Sequence, residues 1–163
     1  GDNHFFKSLL NARFYYPAFL DGVFRINTEL GMLTRTTSEE APTTERFKLG
    51  GVSSLRGFRP FSIGPKKIST TGESLLIGGD RQFLMNLEYE LPLIRTMGIK
   101  GVLFYDIGSA FDGNRVDDVR HDVGVGFRWF SPFGPIRVEM GFPLDRKEGE
   151  KKSVTQFAIT PPF

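Results

Sequence analysis

The sequence predicts an all-β protein, specifically an antiparallel transmembrane β-barrel to which these 163 residues contribute about seven to eight strands. Three observations support this fold class. Apolar and polar side chains alternate along seven segments, most segments are about ten residues long, and the connections between them alternate between short and long. Together they indicate strands that cross a bilayer with one face toward lipid.

The first three strands are predicted from a period of two, because successive side chains of a strand point to opposite faces of the sheet. They cover 4–16, 23–32 and 82–91. Their apolar positions, in that order, are Phe6, Leu10, Ala12, Phe14 and Tyr16, then Phe24, Ile26, Leu30 and Met32, then Phe83, Met85, Leu87, Tyr89 and Leu91.

Four more strands follow the same period, at 99–111, 121–130, 136–142 and 154–163. Their apolar positions are Ile99, Leu103, Tyr105 and Ile107, then Val123, Val125, Phe127 and Trp129, then Ile136, Val138, Met140 and Phe142, and finally Phe157, Ile159 and Phe163. The remaining positions on this face are small or uncharged.

The opposite face of the same strands carries the charges. Its charged members are Lys7, Arg13, Arg25, Glu29, Glu88, Glu90, Lys100, Asp106, Asp122, Arg128, Arg137 and Glu139. Alternation alone fits either a soluble sandwich packed on its apolar face or a membrane barrel with that face toward lipid. The absence of charge from the apolar face favours the barrel, because Lys or Arg at mid-bilayer costs about 2–4 kcal/mol.

Strand length and loop lengths point the same way. A tilted strand needs roughly 9–11 residues to cross a bilayer, whereas strands of soluble proteins usually have about 5–6. The connections 17–22, 92–98 and 131–135 are short, and those at 34–78, 112–120 and 143–153 are longer. Short turns at one rim and longer loops at the other are typical of outer-membrane barrels.

The number of predicted strands is odd, whereas single-chain bacterial barrels normally have an even number. An odd number places the two ends of the chain at opposite rims. We therefore expect at least one further strand before residue 1, and we interpret residues 1–163 as the C-terminal part of a transmembrane β-barrel domain that includes the long loop 34–78.

Composition argues against several other functions. The net charge of +2 gives no basic patch for nucleic acid, and the absence of cysteine excludes disulfides and a cysteine nucleophile. His4 and His121 have no acid or hydroxyl nucleophile at an instructive spacing. The sequence therefore predicts no enzyme, no cofactor and no metal site.

The loop 34–78 is too long for an ordinary connection, so it is either disordered or functional. Its stretch "GGVSSLRGFRP" at 50–60 contains glycines that permit tight reversals. Leu55, Phe58 and Phe61 are apolar and need burial. We expect the loop to fold back onto the polar inner wall of the barrel.

Four motifs resemble one known superfamily, the outer-membrane assembly and secretion proteins that include BamA, TamA and the two-partner-secretion transporters. Leu55, Arg56, Gly57 and Phe58 resemble the tip of the family's lumen-inserted loop. "FYDIGSAF" at 104–111 resembles its strand motif, through Phe104, Asp106 and Gly108. "GVGFRWFSPFGPIRVEMGFPL" at 124–144 resembles its late strands, and "FAITPPF" resembles the C-terminal signal of outer-membrane barrels, through Phe157, Ile159 and Phe163.

The resemblance implies that acidic residues of the inner wall hold the loop arginine. Matching by motif places these partners of Arg56 at Asp106 and Glu88, which the alternation assigns to the polar face independently. A planar guanidinium suits this role because it can bind carboxylates in bidentate fashion.

The implied function is an insertase of the bacterial outer membrane that folds client β-barrel proteins through a weak lateral seam. The implied partners are outer-membrane lipid, lipopolysaccharide, client barrels, and accessory lipoproteins bound through POTRA domains that this chain lacks. Two alternatives remain open: a TamA-like or two-partner-secretion pore, and a small closed structural barrel.

Overall fold

The computed structural model describes residues 4–36 and 38–161. Its strands are β1 (Phe5–Pro17), β2 (Val23–Arg35), β3 (Lys66–Ile68), β4 (Ser74–Leu76), β5 (Arg81–Ile94), β6 (Ile99–Phe111), β7 (Arg120–Ser131), β8 (Gly134–Pro143) and β9 (Val154–Ala158). Two single-turn 3-10 helices, Phe19–Asp21 and Arg95–Met97, lie in short turns. Neither these nor any other helix in the described part of the chain has the length and apolar composition needed to cross a membrane.

Seven strands form one antiparallel sheet in the order β1-β2-β5-β6-β7-β8-β9. Every long strand pairs with its neighbour in sequence once the β3–β4 hairpin is set aside. This meander is the arrangement that the predicted fold class requires, and the prediction of an all-β antiparallel architecture is confirmed. In the described residues the two edge strands, β1 and β9, do not pair with each other.

The two faces of the sheet differ as the alternation predicts. Apolar side chains of the outward face are exposed, with Phe127 at 61% and Val125 at 49%. On the inward face Asp106 and Glu139 are fully buried. A soluble sandwich would show the opposite pattern, because its apolar face would form the dry core.

The apolar core lies instead between the polar face and the long loop. Leu55 and Phe58 from the loop pack near Leu33, Leu84 and Ala110 from the strands. The full buried cluster consists of Leu33, Ala41, Phe47, Leu49, Leu55, Phe58, Ile63, Leu84 and Ala110. The loop thus carries its own apolar residues to the inner wall, as expected for Leu55 and Phe58.

Phe61 corrects this expectation, because its side chain is 69% exposed rather than buried. Its backbone has φ of 52°, and its N–H donates to Gly50 O over 3.3 Å. This left-handed turn reverses the chain at the exit of the tip and directs the ring away from the wall. The hydrophobicity of a residue does not by itself predict such a reversal of the chain.

The described part of the loop between β2 and β5 contains the two-stranded hairpin β3–β4, which the sequence did not predict. Two isolated bridges, Phe47 with Gly79 and Leu49 with Ile63, tie its two arms together. The backbone groups of the buried arms are therefore paired with one another, which is what removal from water requires.

β9 is shorter than the predicted strand 154–163. It pairs with β8 over five residues, from Val154 opposite Gly141 to Ala158 opposite Arg137. The prolines at 161 and 162 have no backbone N–H, so the chain beyond this point is unsuited to a continuous ladder. Phe163 lies outside the described residues.

We predict that a charge on the outward face destabilises the barrel in a membrane. Val125 is exposed near the middle of β7. In the intact protein reconstituted in bilayers, Val125→Arg should cost about 2–4 kcal/mol of folding free energy, measured by urea titration. Val125→Leu is the matched control and should change little. Equal stability of the two variants would contradict the assignment of this face to lipid.

Candidate functional site

The tip of the long loop is a compact turn against the polar face of the sheet. Gly51 N–H donates to Leu55 O over 3.1 Å and to Phe58 O over 3.2 Å. Gly50 and Gly51 have φ of 111° and 103°, values that side chains disfavour. The turn buries Leu55 completely and leaves Arg56 only 1% exposed.

Asp106, in the middle of β6, is the main hydrogen-bond acceptor for Arg56. Nε of Arg56 donates to Asp106 Oδ2 over 2.8 Å, and Nη2 donates to Oδ1 over 2.6 Å. The backbone N–H of Arg56 also donates to Oδ2, over 3.1 Å. The guanidinium and the carboxylate therefore meet in the parallel two-bond geometry that lysine cannot form.

Two further carboxylates complete the environment of the guanidinium. Nη1 of Arg56 donates to Glu88 on β5 and, over 3.2 Å, to Glu139 on β8. Burial by itself would lower the pKa of Arg56, but Asp106, Glu88 and Glu139 raise that pKa well above its usual value. Arg56 therefore stays charged, and its charge is compensated from three strands.

Each residue of the strand motif contacts the loop. The Phe104 ring lies under the guanidinium of Arg56, 3.7 Å from its Cζ to the ring centroid. A Cβ at Gly108 would lie 3.0 Å from Leu49 Cδ1 and 2.8 Å from Phe83 O, so glycine makes room there for a loop side chain. The motif Phe104, Asp106 and Gly108 thus forms a continuous seat for the loop.

Gly57 occupies a narrow space between β7 and β8. A Cβ on Gly57 would lie 2.5 Å from the Cβ of Asp122. A Cβ on Gly141 would lie 2.5 Å from Gly57 N and 2.6 Å from its Cα. Backbone meets backbone at this point, so both positions tolerate only glycine without a shift of the tip.

Wall side chains also bind the backbone carbonyls of the tip. Asn86 Nδ2 donates to Ser54 O over 2.9 Å, and Arg137 Nη2 donates to Val52 O over 3.1 Å. Gln156 of β9 donates to Phe58 O over 3.2 Å. Strands from β5 to β9 therefore hold the tip together.

A row of polar residues in register leads to Asp106. Asn27, Asn86, Asp106 and Asp122 are direct partners across β2, β5, β6 and β7. Asn27 Nδ2 donates to Asn86 Oδ1 over 2.9 Å, and Asn86 Nδ2 donates to Asp106 Oδ1 over 2.8 Å. The amides fix the orientation of the Asp106 carboxylate toward the loop.

The structure brings together Arg56, Asp106 and Glu88, the three residues that the sequence analysis grouped. It also brings in Glu139 and Arg128, which that analysis placed on the polar face without a role. The signal available for them was their position on the charged face, but alternation does not say which charges on different strands lie side by side. Strand register supplies that information.

The residues assigned to the C-terminal signal lie apart from this site. Phe157 and Ile159 point to the outward face and are 63% and 60% exposed. Phe163, the last member of that assignment, is not among the described residues. These positions contribute to the apolar surface rather than to the loop seat.

A second ionic group lies at one rim, where the connection between β8 and β9 meets the start of β7. Arg120, at the start of β7, donates from Nε to Asp145 Oδ2 over 2.9 Å and from Nη2 to Glu150 Oε2 over 2.6 Å. The backbone N–H of Lys147 also donates to Glu150, over 2.9 Å. Burial would raise the pKa of Glu150, but these hydrogen bonds lower it below its usual value.

The fold and the site define a class of protein: a membrane-embedded antiparallel β-barrel whose long loop is held against the inner wall by ionic contacts. A family model described as the Omp85 superfamily domain matches residues 1–163. The chain belongs to the Omp85 superfamily. Its location is the bacterial outer membrane.

Known relatives narrow the class further. Over 158 residues the chain is 34% identical to outer membrane protein assembly factor BamA of Nitratidesulfovibrio vulgaris, covering 94% of this chain and 20% of that protein. Over 190 residues it is 24% identical to BamA of Neisseria meningitidis serogroup B, covering 98% and 24%. The chain thus spans about a fifth to a quarter of the length of these relatives.

A solved structure has the same fold. The crystal structure of BamA from Haemophilus ducreyi lacking POTRA domains 1–3 superimposes with a TM-score of 0.84 and 23% sequence identity. The match covers 96% of this chain and 35% of that one. The sheet described above is therefore arranged as in a BamA barrel. The predicted resemblance to BamA-type proteins is confirmed by the family model and by the 34% identity.

We predict that the backbone contact at Gly57 controls how tightly the tip is seated. Gly141→Ala should displace the tip and cost about 1–3 kcal/mol, as overpacking does. Limited proteolysis of residues 45–65 should become faster. Gly101→Ala is the matched control, because its Cβ would meet only the flexible Leu93 side chain, at 3.2 Å. Unchanged cleavage in Gly141→Ala would contradict the close contact.

We also predict an acid-sensitive rim. The folded pKa of Glu150 lies below its unfolded value, so the stabilisation from Glu150 is present above the unfolded pKa and is lost as pH falls through the lowered folded one. Proteolysis by an acid-stable protease in residues 144–153 should accelerate over that range. Glu150→Gln should abolish the dependence. An equal acid response in that variant would contradict the assignment to Glu150.

Proposed function

We propose that this chain is the C-terminal part of the barrel of an outer-membrane protein assembly factor. The observation that carries the proposal is the 34% identity to a BamA protein over 94% of this chain, which includes the loop tip and its seat. In this proposal further barrel strands and periplasmic POTRA domains precede residue 1. The partial coverage of the relatives supports that arrangement.

The proposed mechanism is physical and requires no covalent chemistry, so we propose that the protein is not an enzyme. A sheet edge presents unpaired N–H and C=O groups that an incoming strand can bind. β9 offers such an edge, and its own ladder to β8 has only five residue pairs. We propose that a weak seam beside β9 opens and accepts strands of client β-barrel proteins.

We propose that the loop arginine pins the loop inside the barrel and keeps the wall in one shape while the seam opens. The hydrogen bonds of Arg56 to β5, β6 and β8, and of Gln156 on β9 to the tip, support this role. A pinned loop joins the strands near the seam to the rest of the sheet. Asp106 and Glu88 are the proposed wall partners.

We propose the following partners: lipid and lipopolysaccharide of the outer membrane, client β-barrel proteins, and accessory lipoproteins that bind the POTRA domains. The exposed apolar face supports contact with lipid. The exposed Lys66 and Lys67, at the start of the β3 hairpin, are suited to lipopolysaccharide phosphates.

Two alternatives predict different measurements. A TamA-like or two-partner-secretion pore would give steady ion conductance in bilayers, and a closed structural barrel would give neither conductance nor assembly activity. An assembly factor, in contrast, should accelerate the folding of an added client barrel into liposomes. The intact protein should therefore raise the folding rate above that of empty liposomes, and steady conductance without acceleration would contradict the proposal.

We predict that the loop pin is needed for this activity. Arg56→Ala should slow client folding and expose residues 45–65 to protease, because it removes the loop's hold on buried carboxylates, a loss on the order of 3–5 kcal/mol. The variant's own sheet should remain folded, which heat-modified gel mobility reports. Arg59→Ala is the matched control, since Arg59 is an exposed arginine three residues further along the same loop. If Arg56→Ala left both client folding and proteolysis unchanged, the pin would be disproved.

A further inference from the structure

The inner wall carries a second buried guanidinium whose hydrogen bonds interlock with those of the loop. Arg128, on β7, is 4% exposed. Arg56 and Arg128 both bind Glu88 and Glu139. The two arginines thus share one pair of carboxylates, although one arginine belongs to the loop and the other to the wall.

Each arginine also has a carboxylate that the other does not bind. Asp106 binds Arg56, and Glu90 binds Arg128, with Nη1 of Arg128 donating to Glu90 Oε2 over 2.8 Å. Glu90 has further cations, because Lys100 lies 3.0 Å and Arg25 lies 3.7 Å from its Oε1. Loss of Arg128 would therefore leave Glu90 compensated.

The shared carboxylates are held more extensively by the wall than by the loop. Arg128 donates to Glu88 from Nη1 over 2.9 Å and from Nη2 over 2.7 Å, and to Glu139 from Nε over 3.0 Å and from Nη2 over 2.6 Å. Arg56 reaches both with Nη1 alone. A third arginine, Arg137, is 3.9 Å from Glu139 and adds little.

Withdrawal of the tip would therefore affect the three carboxylates differently. Glu88 and Glu139 would keep their bonds to Arg128. Asp106 would lose its ion pair with Arg56 and would be left beside the amide of Asn86 and, across the β6–β7 ladder, the carboxyl group of Asp122. Two neighbouring carboxyl groups without a cation are unfavourable, so the loop arginine is needed by Asp106 but not by the shared pair.

We propose that Arg128 is a resident counterion of the wall, which keeps Glu88 and Glu139 compensated when the loop tip is absent, and that of the three carboxylates only Asp106 depends on the tip for its cation. The loop can then leave and return without unfolding of the sheet. This inference goes beyond the proposed function, since it holds whether or not the barrel inserts other proteins.

A double-mutant cycle on the intact protein in bilayers tests the proposal. Arg56→Ala and Arg128→Met each leave the shared carboxylates with one of these two arginines, and the double variant removes both and leaves only the more distant Arg137 near Glu139. Urea titration should give a folding equilibrium constant at least about tenfold lower in the double variant than the product of the single effects predicts. Additive single effects would overturn the proposal.

A control cycle uses a cation that shares no carboxylate with Arg56. Lys100 binds Glu90, so Arg56→Ala combined with Lys100→Met should be additive. If the double variant of Arg56 and Arg128 fails to fold, adding Glu88→Gln and Glu139→Gln should restore folding, because the uncompensated charges are gone. Failure of this neutralised variant to fold would also overturn the proposal.

Proteolysis of the loop distinguishes the role of Asp106 from that of the carboxylates shared with Arg128. Asp106→Asn should increase cleavage within residues 45–65 severalfold, whereas Arg128→Met should leave it near the wild-type rate because Arg56 still binds all three carboxylates. A general loss of stability would increase cleavage in both variants. Equal cleavage in the two would therefore contradict the specific role of Asp106.

Discussion

The position of the long loop on the polar face of the sheet depends on the charge of one loop guanidinium. Arg56 is buried, and it satisfies carboxylates on β5, β6 and β8 at once. Burying an ion is costly unless it is paired and hydrogen-bonded, so the contact is stable only when the loop and all three strands are in place. The interaction therefore fixes the position of the loop and also ties together strands distant in sequence.

The apolar face of a membrane barrel faces lipid and so forms no internal core. The side chains that would drive folding in a soluble protein are exposed here, and lipid is their expected environment. The interior must then be organised by polar groups and by whatever apolar residues a loop can bring. Leu55 and Phe58 are apolar loop residues of this kind. The hydrogen-bonded row from Asn27 to Asp106 orients the carboxylate that binds Arg56.

The site combines residues of the sheet with a residue of the long loop. Arg128 on β7 and its carboxylates on β5 and β8 all belong to the sheet, whereas Arg56 arrives on a long connection. At the far end of the same sheet, β9 is held by few ladder pairs and by Gln156, which reaches the loop tip. The loop tip thus lies between the Arg128 cluster and β9, the strand of the seven-stranded sheet with the fewest ladder pairs.

A period of two in the sequence predicted the fold class and the two faces of the sheet, since it places each strand residue on a face. The grouping of Arg56 with Asp106 and Glu88 came from the resemblance of the motifs to a known family. Neither revealed the partnership of Arg128 with Glu139, the contact of Gly57 with Gly141 or the exposure of Phe61. Alternation assigns a face but not a neighbour. Register between strands, the path of the loop over the wall and a single left-handed turn decide which groups meet, and these exist only in the tertiary structure.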